Sequence, residues 1–320
     1  MRLPEKHRAL ALHLGVLGLL LALQLVLPPY HHSAMARILV LATYAMGYNV
    51  LNGYTGLLSL GHALLFAAGL YGAGLSAEYL GSGPAVSVLL GGVSGAVLAA
   101  LVGLLALRTT GVSFMIVTMM FAQAGFLTLI YFNTVTKGDQ GFVLPEATRQ
   151  LSFAGVSVPL SDPVLRYNLA LALFAAVLLL SLALVRSGVG RVLVAIRENE
   201  ARAGMLGYDT FRYKLLAMAV SGGISGLAGA FYAELFGYVG AGFADTQYSI
   251  YPILWGLLGG MGTTLGPLIG TTLMFYLVDI ASGFTSAYML IVGVVLVLLV
   301  LWFPKGILGT LRERLVPWLP

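Results

Sequence analysis

Cysteine is absent from the sequence, which excludes disulfides, thiolate zinc sites and cysteine nucleophiles. Charge is nearly as scarce: Asp, Glu, Lys and Arg make up 9% of the 320 residues, where soluble domains carry roughly 25%. With 59% hydrophobic residues the chain cannot clothe a water-facing surface, so the reading is an integral membrane protein. No nucleotide loop is present, because a P-loop needs Lys followed by Ser or Thr. Lys6, Lys137, Lys214 and Lys305 are followed by His, Gly, Leu and Gly. No G-x-S-x-G elbow, H-E-x-x-H pair or close carboxylate pair lies in an apolar run, which leaves an integral-membrane enzyme without catalytic residues. His31 and His32 are adjacent rather than spaced along one helix face, and no ligand cluster accompanies them, so no metal site is expected. The net charge of +5 implies no nucleic-acid partner, since the basic residues lie between apolar runs.

What the sequence does have is apolar length. A membrane-crossing helix needs about 20 mostly apolar residues, and runs occur near 9–27, 35–51, 57–79, 85–107, 112–132, 167–186, 214–236, 265–281 and 287–303, with a shorter one at 249–261. Basic residues set orientation. Arg2, Lys6 and Arg8 precede the first run, six basic residues fall between 186 and 214, and Lys305, Arg312 and Arg314 follow the last. Placing all three regions in the cytoplasm demands an even number of crossings, which makes 249–261 a short crossing. The expectation is an all-α polytopic transmembrane helical bundle of about ten spans (eight to ten), a single membrane domain over 1–320 with both termini cytoplasmic. Residues 133–166, punctuated by Gly and Pro, read as a small external cap. The basic start, the apolar 9–27 and Ala34-Met35-Ala36 are reminiscent of a cleaved leader, but 19 apolar residues favour a retained first span.

Two stretches interrupt the hydrocarbon. In "NGYTGLLSLGH" (52–62), Asn52, Gly53, Tyr54, Thr55, Gly56, Ser59, Gly61 and His62 bring polarity and poor helix formers together. Irregular chain at membrane depth survives only where protein buries it or water reaches it, so this stretch either bends into the bundle or turns at the cytoplasmic face. The second, "LLGGMGTTLGPLIGTT" (257–272), contains Gly259, Gly260, Gly262, Gly266 and Pro267. Paired Gly/Pro-interrupted segments point to a transport pathway, while close helix packing through small residues is the plainer explanation.

The loop 186–214 is too charged for a mere connector. "ENEARAGMLG" reads as a short helix: Glu198 and Glu200 favour its positive N-terminus, Glu198 and Arg202 form an i,i+4 pair, and Gly207 suits a left-handed end. Ala203, Met205 and Leu206 remain as apolar knobs for a groove on another protein, or for an interfacial helix on anionic lipid. Ionisable groups inside the runs are few. His13, Glu78, Glu234 and Asp279 fall near span ends, where interfacial solvation accounts for them, and His62 with Gln123 lies deeper.

"NGYTGLLSLGHALLFAAGLYGAG" resembles the hallmark segment of the branched-chain amino acid permease family of ATP-binding-cassette importers, LivM-type. "RVLVAIRENEARAGMLGYDTFRYKLLAMAVSGGISGLAGAFYA" from 191, "ILWGLLGGMGTTLGPLIGTTL" from 253 and "FPKGILG" from 303 agree in order and spacing. The resemblance implies a permease subunit of the bacterial inner membrane that forms half of a pathway for Leu, Ile, Val or related amino acids. Its partners would be a second, LivH-type permease, two ATP-binding cassette ATPases and an extracytoplasmic amino-acid-binding protein, with ATP hydrolysed by the partners and no cofactor on this chain. Glu198, Asn199, Glu200, Arg202, Ala203, Met205 and Gly207 would form the coupling helix; on the reading of the residues themselves, 52–62 and Gln123 line the pathway or break its helix. A urea or short-amide permease of the same family, or an ion-coupled secondary transporter, are the alternatives.

Overall fold

Fourteen helices and four short strands make up the computed structural model, which describes residues 5–153 and 156–314. Arg2 of the expected N-terminal charge cluster and Ala154-Gly155 of the expected cap lie outside the described residues. The helices are α1 (Glu5–Leu23), α2 (Pro29–Asn49), α3 (His62–Leu80), α4 (Pro84–Ala106), α5 (Val112–Tyr131), α6 (Asn133–Thr136) and α7 (Pro163–Arg186). They continue as α8 (Gly188–Glu198), α9 (Glu200–Met205), α10 (Thr210–Phe236), α11 (Thr246–Gly259), α12 (Gly266–Phe284), α13 (Tyr288–Trp302) and α14 (Ile307–Arg314). The strands are β1 (Phe142–Val143), β2 (Gln150–Phe153), β3 (Val156–Pro159) and β4 (Tyr238–Val239).

Each of the ten apolar runs becomes a helix. Among the described residues, eight helical stretches are long and apolar enough to cross a membrane, at the lower end of the expected eight to ten. The two that fall short are the apolar part of α1, Arg8–Leu23, and the 14-residue α11. α11 stops early because Gly260, at φ +117°, leaves helical space.

Local chemistry sets the helix ends. Pro29, Pro84, Pro163 and Pro267 sit in the first turn of α2, α4, α7 and α12, where a missing N–H costs nothing and φ is already helical. Asp162 adds a side-chain cap to α7, accepting from Leu165 N at 2.8 Å.

Packing ranks the helices. The most apolar window of α2 is 94% buried, against 17% for α5 and 11% for the stretch beginning with α13, so α2 is the central post and the other two form the rim. α10 lies against α3 and α4 through bare backbone: a Cβ on Gly69 would stand 1.9 Å from the Gly226 carbonyl oxygen, and one on Gly95 would stand 2.6 Å from the Gly222 carbonyl oxygen. Small residues at these crossings let helices without a water-driven attraction come close enough for dispersion to hold them.

At the far end of α10, β4 pairs antiparallel with β1 (Phe142↔Val239), and β2 pairs with β3. The buried Arg149 links this cap to the bundle, donating from Nε to the Glu234 carbonyl (2.7 Å) and from Nη2 to the Leu235 carbonyl (3.0 Å). These are last-turn carbonyls of α10, which have no intrahelical donor, and a guanidinium also suits the negative end of the helix. Burial lowers the Arg149 pKa, and the nearby Glu234 and Glu146 charges oppose that shift.

Two expectations of interfacial solvation are overturned. Glu234 is 1% exposed because the cap residues Leu151 and Leu160 close over it. His13 is also buried, with Nδ1 2.5 Å from the Ala9 carbonyl and Nε2 2.6 Å from Thr264 Oγ1. Glu78 is exposed, and Asp279 accepts from the Tyr30 hydroxyl at 2.8 Å. His31 and His32 turn to different partners, the Tyr276 hydroxyl and the Gln24 carbonyl.

Candidate functional site

The two interrupted stretches meet. α2 does not stop at Asn49 but widens into a π-helical turn over Val50–Tyr54, so Asn52, Gly53 and Tyr54 are still helical and the true break is 55–61. A wider turn moves backbone groups off the normal ladder, and such turns mark functional sites. In the late stretch the chain is non-helical from Gly260 to Leu265, between α11 and α12.

Asn49 joins the two. Its Nδ2 donates to the Thr263 carbonyl at 2.9 Å, and its Oδ1 accepts from Gly262 N at 2.9 Å, so one amide satisfies both polarities of the opposite turn. Asn52 Nδ2 approaches Met261 Sδ at 3.1 Å. No side chain fits at Gly53, where a Cβ would stand 2.7 Å from Gly262 N. Gly262 itself has φ +73°. From α1, His13 reaches the same turn through Thr264.

The break at 55–61 and the start of α3 are held partly by their own side chains and partly by neighbouring helices. Thr55 Oγ1 donates to the Val50 carbonyl (3.0 Å), Leu60 N donates to Thr118 Oγ1 (3.2 Å), Gly61 N donates to Ser59 Oγ (3.1 Å) and Ala63 N donates to Ser249 Oγ (2.8 Å). This is irregular backbone whose polar groups are met by protein. His62 is fully buried with Nε2 2.9 Å from Ser221 Oγ, and Tyr48 packs edge-on against it.

Burial divides the expected pathway residues. Gly53, Tyr54, Thr55, Ser59, Gly61 and His62 are buried and build the joint rather than line a channel in this single chain. Asn52 is half-buried, while Gly56 and Gln123 are exposed. Gln123 on α5 lies apart from the joint, 3.5 Å from Thr246 Oγ1 at the start of α11. In the late stretch, Gly260 and Gly262 serve the turn through positive φ, while Gly259, Gly266 and Gly270 serve packing. A Cβ on Gly259 would stand 1.8 Å from the Gly266 carbonyl oxygen.

The charged loop forms an elbow of two helices. Ser187 caps α8 by accepting from Gly190 N (3.2 Å), and α8 turns Val192, Leu193 and Ile196 inward. Asn199 caps α9, its Oδ1 accepting from Arg202 N at 2.9 Å, and Gly207 follows with φ +90° as expected. Glu200 opens α9 as expected, while Glu198 and Ala203 depart from expectation. Glu198 ends α8 instead of opening α9, and it pairs with Arg197 (2.8 Å) instead of Arg202. Glu200 pairs with Lys214 of α10 at 2.5 Å. Ala203 is 2% exposed, because Val192, Ile196 and Tyr213 cover it, so the free apolar knobs are Met205 (81%) and Leu206 (71%).

Arg197 connects elbow and joint. Its Nη1 donates to the Gly53 carbonyl at 2.6 Å, and across the turn Arg312 Nη1 of α14 reaches the Gly262 carbonyl at 3.4 Å. The central residues Asn49, Thr263, Arg197 and Arg312 are not among the site candidates read from sequence. An amide four residues before the first glycine of the interrupted stretch was the available signal for Asn49. The contact of Arg197 with Gly53 is long-range and left no local pattern.

Residues 32–301 match the family described as branched-chain amino acid transport system / permease component. The chain is 30% identical over 288 residues to the high-affinity branched-chain amino acid transport system permease protein LivM of Salmonella typhimurium, covering 84% of this chain and 68% of that one. The Escherichia coli protein of the same name is 29% identical over the same shares. LivH of Salmonella typhimurium is 22% identical over 284 residues, covering 84% of this chain and 91% of its own. No solved structure matches. A polytopic helical bundle with two broken segments joined at one end, matched over most of its length in this way, belongs to the branched-chain amino acid ATP-binding-cassette permease family, LivM-type.

Proposed function

We propose that this chain is one permease half of an importer for branched-chain or related hydrophobic amino acids, driven by separate ATPases. The observation that carries the reading is the Arg197–Gly53 contact, which ties an exposed elbow to the meeting point of both broken segments. Partners in this reading are a second, LivH-type permease, two ATP-binding cassette ATPases that take ATP, and an extracytoplasmic amino-acid-binding protein. The membrane is the bacterial inner membrane with both termini cytoplasmic. Met205 and Leu206 dock in a groove of one ATPase, with Glu198, Asn199, Glu200 and Arg202 around them. Ala203 and Gly207 shape the helix that presents them.

Closure of the ATPases moves the elbow, Arg197 transmits that displacement to Gly53, and the Asn49 amide carries it into 260–265. Gln123, Asn52 and Gly56 face the pathway completed by the second permease. Weak, multi-site contact is what a conduit needs, and the shortage of charge in the spans agrees with selectivity residing in the binding protein.

The test is uptake of labelled leucine by vesicles holding the chain with its second permease, ATPases and loaded binding protein. Uptake that requires ATP and survives collapse of the membrane potential supports the reading. Uptake that disappears with the potential while ATP is intact refutes it in favour of ion coupling.

A further inference from the structure

We infer that an anionic phospholipid binds at the elbow end of the bundle, its phosphate among Arg197, Lys305 and Arg312 and one acyl chain in the groove between α1, α12 and α13. The head-group site is a cavity of about 480 Å³ that these three cations line together with the Gly262–Thr263 turn and Glu313. Two of the cations already have an acid: Arg197 has Glu198, and Lys305 has Glu313. Both pairs are solvent-exposed, and such pairs are weak enough to be redirected. Arg312 has no carboxylate within ion-pair distance among the described residues, only the long contact to the Gly262 carbonyl. Its planar fork suits a phosphate that the other two then share.

The surroundings select a lipid over a free phosphate. Trp302 and Leu301, just before the cavity, are 71% and 70% exposed, and a tryptophan at this place marks the membrane–water interface. Basic pockets between helices on the cytoplasmic side are suited to anionic head groups. The groove, of about 750 Å³, is lined by Leu268, Leu273 and Leu277 of α12, Leu299 of α13 and Leu20 of α1. Its polar Thr272 is already satisfied by the Leu268 carbonyl at 2.7 Å. The two spaces adjoin along the chain, since Leu268 follows Thr263 by five residues and Leu299 precedes Pro304 by five. From Leu268 to Ile280 the groove rises about 18 Å along α12, close to half of the roughly 30 Å hydrocarbon core. A single acyl chain reaching the bilayer midplane has that length.

The bound phosphate bridges the two guanidinium groups that hold Gly53 and Gly262, so the lipid fastens the same joint that Asn49 holds.

The experiment is native mass spectrometry of the purified complex in zwitterionic detergent, with phosphatidylglycerol, phosphatidylcholine of the same acyl chains, or inorganic phosphate added. The expected result is preferential retention of one phosphatidylglycerol. Arg312→Gln should reduce that retention about fivefold, the factor for one basic side chain near a lipid surface, and Lys305→Gln by a similar factor. Leu273→Trp, which fills the groove, should expel phosphatidylglycerol while the phosphate cavity stays intact. Unchanged thermal midpoints in lipid-free detergent identify the variants as folded. Equal retention of the two lipids, retention unaffected by both charge variants, or full displacement by inorganic phosphate with the groove variant indistinguishable from wild type would overturn the inference. Each of those outcomes leaves the permease reading untouched, because that reading is tested by uptake.

Discussion

At the scale of single residues, Arg197 and Asn49 hold the joint by different means. Arg197 supplies a charge-assisted bond to one carbonyl, and Asn49 supplies two neutral bonds of opposite polarity. Arg197→Ala removes the transmitting contact but leaves a half-exposed site that water can fill. The chain should insert and fold normally, while substrate-stimulated ATP hydrolysis by the assembled transporter falls at least about tenfold, a loss of about 1.4 kcal/mol of coupling. Stimulation equal to wild type would separate the elbow from the joint. Asn49→Leu instead leaves Gly262 N and the Thr263 carbonyl unpaired in a dry site, and about 1–3 kcal/mol per orphaned group is the expected cost. Its readout is the thermal midpoint in detergent. Gly53→Ala acts by volume, because its methyl group would stand 2.0 Å from Asn49 Oδ1 and 2.7 Å from Gly262 N, displacing the Asn49 amide and forcing the segments apart; overpacking of this kind costs about 1–3 kcal/mol. A midpoint unchanged from wild type would show that the two turns separate freely.

At the scale of elements, the elbow divides into a presented face and a supporting one. Met205 and Leu206 are presented, while Ala203 is packed beneath Val192, Ile196 and Tyr213. Met205→Asp with Leu206→Asp should abolish ATPase stimulation and leave the chain's stability within about 0.5 kcal/mol, as for surface changes generally. Ala203→Trp should disrupt the packing of α9 on α8, lowering stability and coupling together. The break at 55–61 makes a matching prediction. Gly56 has φ +77° and Gly61 faces the Thr118 carbonyl, where a Cβ would stand 2.4 Å away. Leucine at either position should therefore stop uptake, and full activity would reduce the stretch to a connector. Helix positions were legible in the sequence because hydropathy over twenty residues is a strong local signal. The extension of α2 through Asn52 was not, since a π-helical turn is stabilised by what Asn49 and Gly53 meet across the bundle rather than by their own propensity. The burial of Glu234 and His13 was hidden for the same reason, as Leu151, Leu160 and Thr264 come from distant parts of the chain.

At the scale of the whole molecule, the sequence made the membrane class, the family and the two broken segments visible, because composition and motifs are written along the chain. It did not make visible that the segments are one site, since Asn49 and Thr263 are 214 positions apart. The cap bears on this scale too. Arg149→Ala would free the Glu234 and Leu235 carbonyls of α10 and uncover a buried carboxyl. Charged hydrogen bonds of this kind are worth about 1.5–3 kcal/mol, so a clear fall in thermal midpoint is expected, and no fall would detach the cap from the bundle.

α10 has a fixed attachment at each end. Its 27 residues extend about 40 Å, with Lys214 tied to Glu200 of the elbow at one end and the Arg149 clamp at the other. A strut anchored in this way does not shorten; it can only tilt or slide. In the proposed transporter, a push on the elbow would therefore reach the cap as displacement, with no need for a relay of charges through the oil.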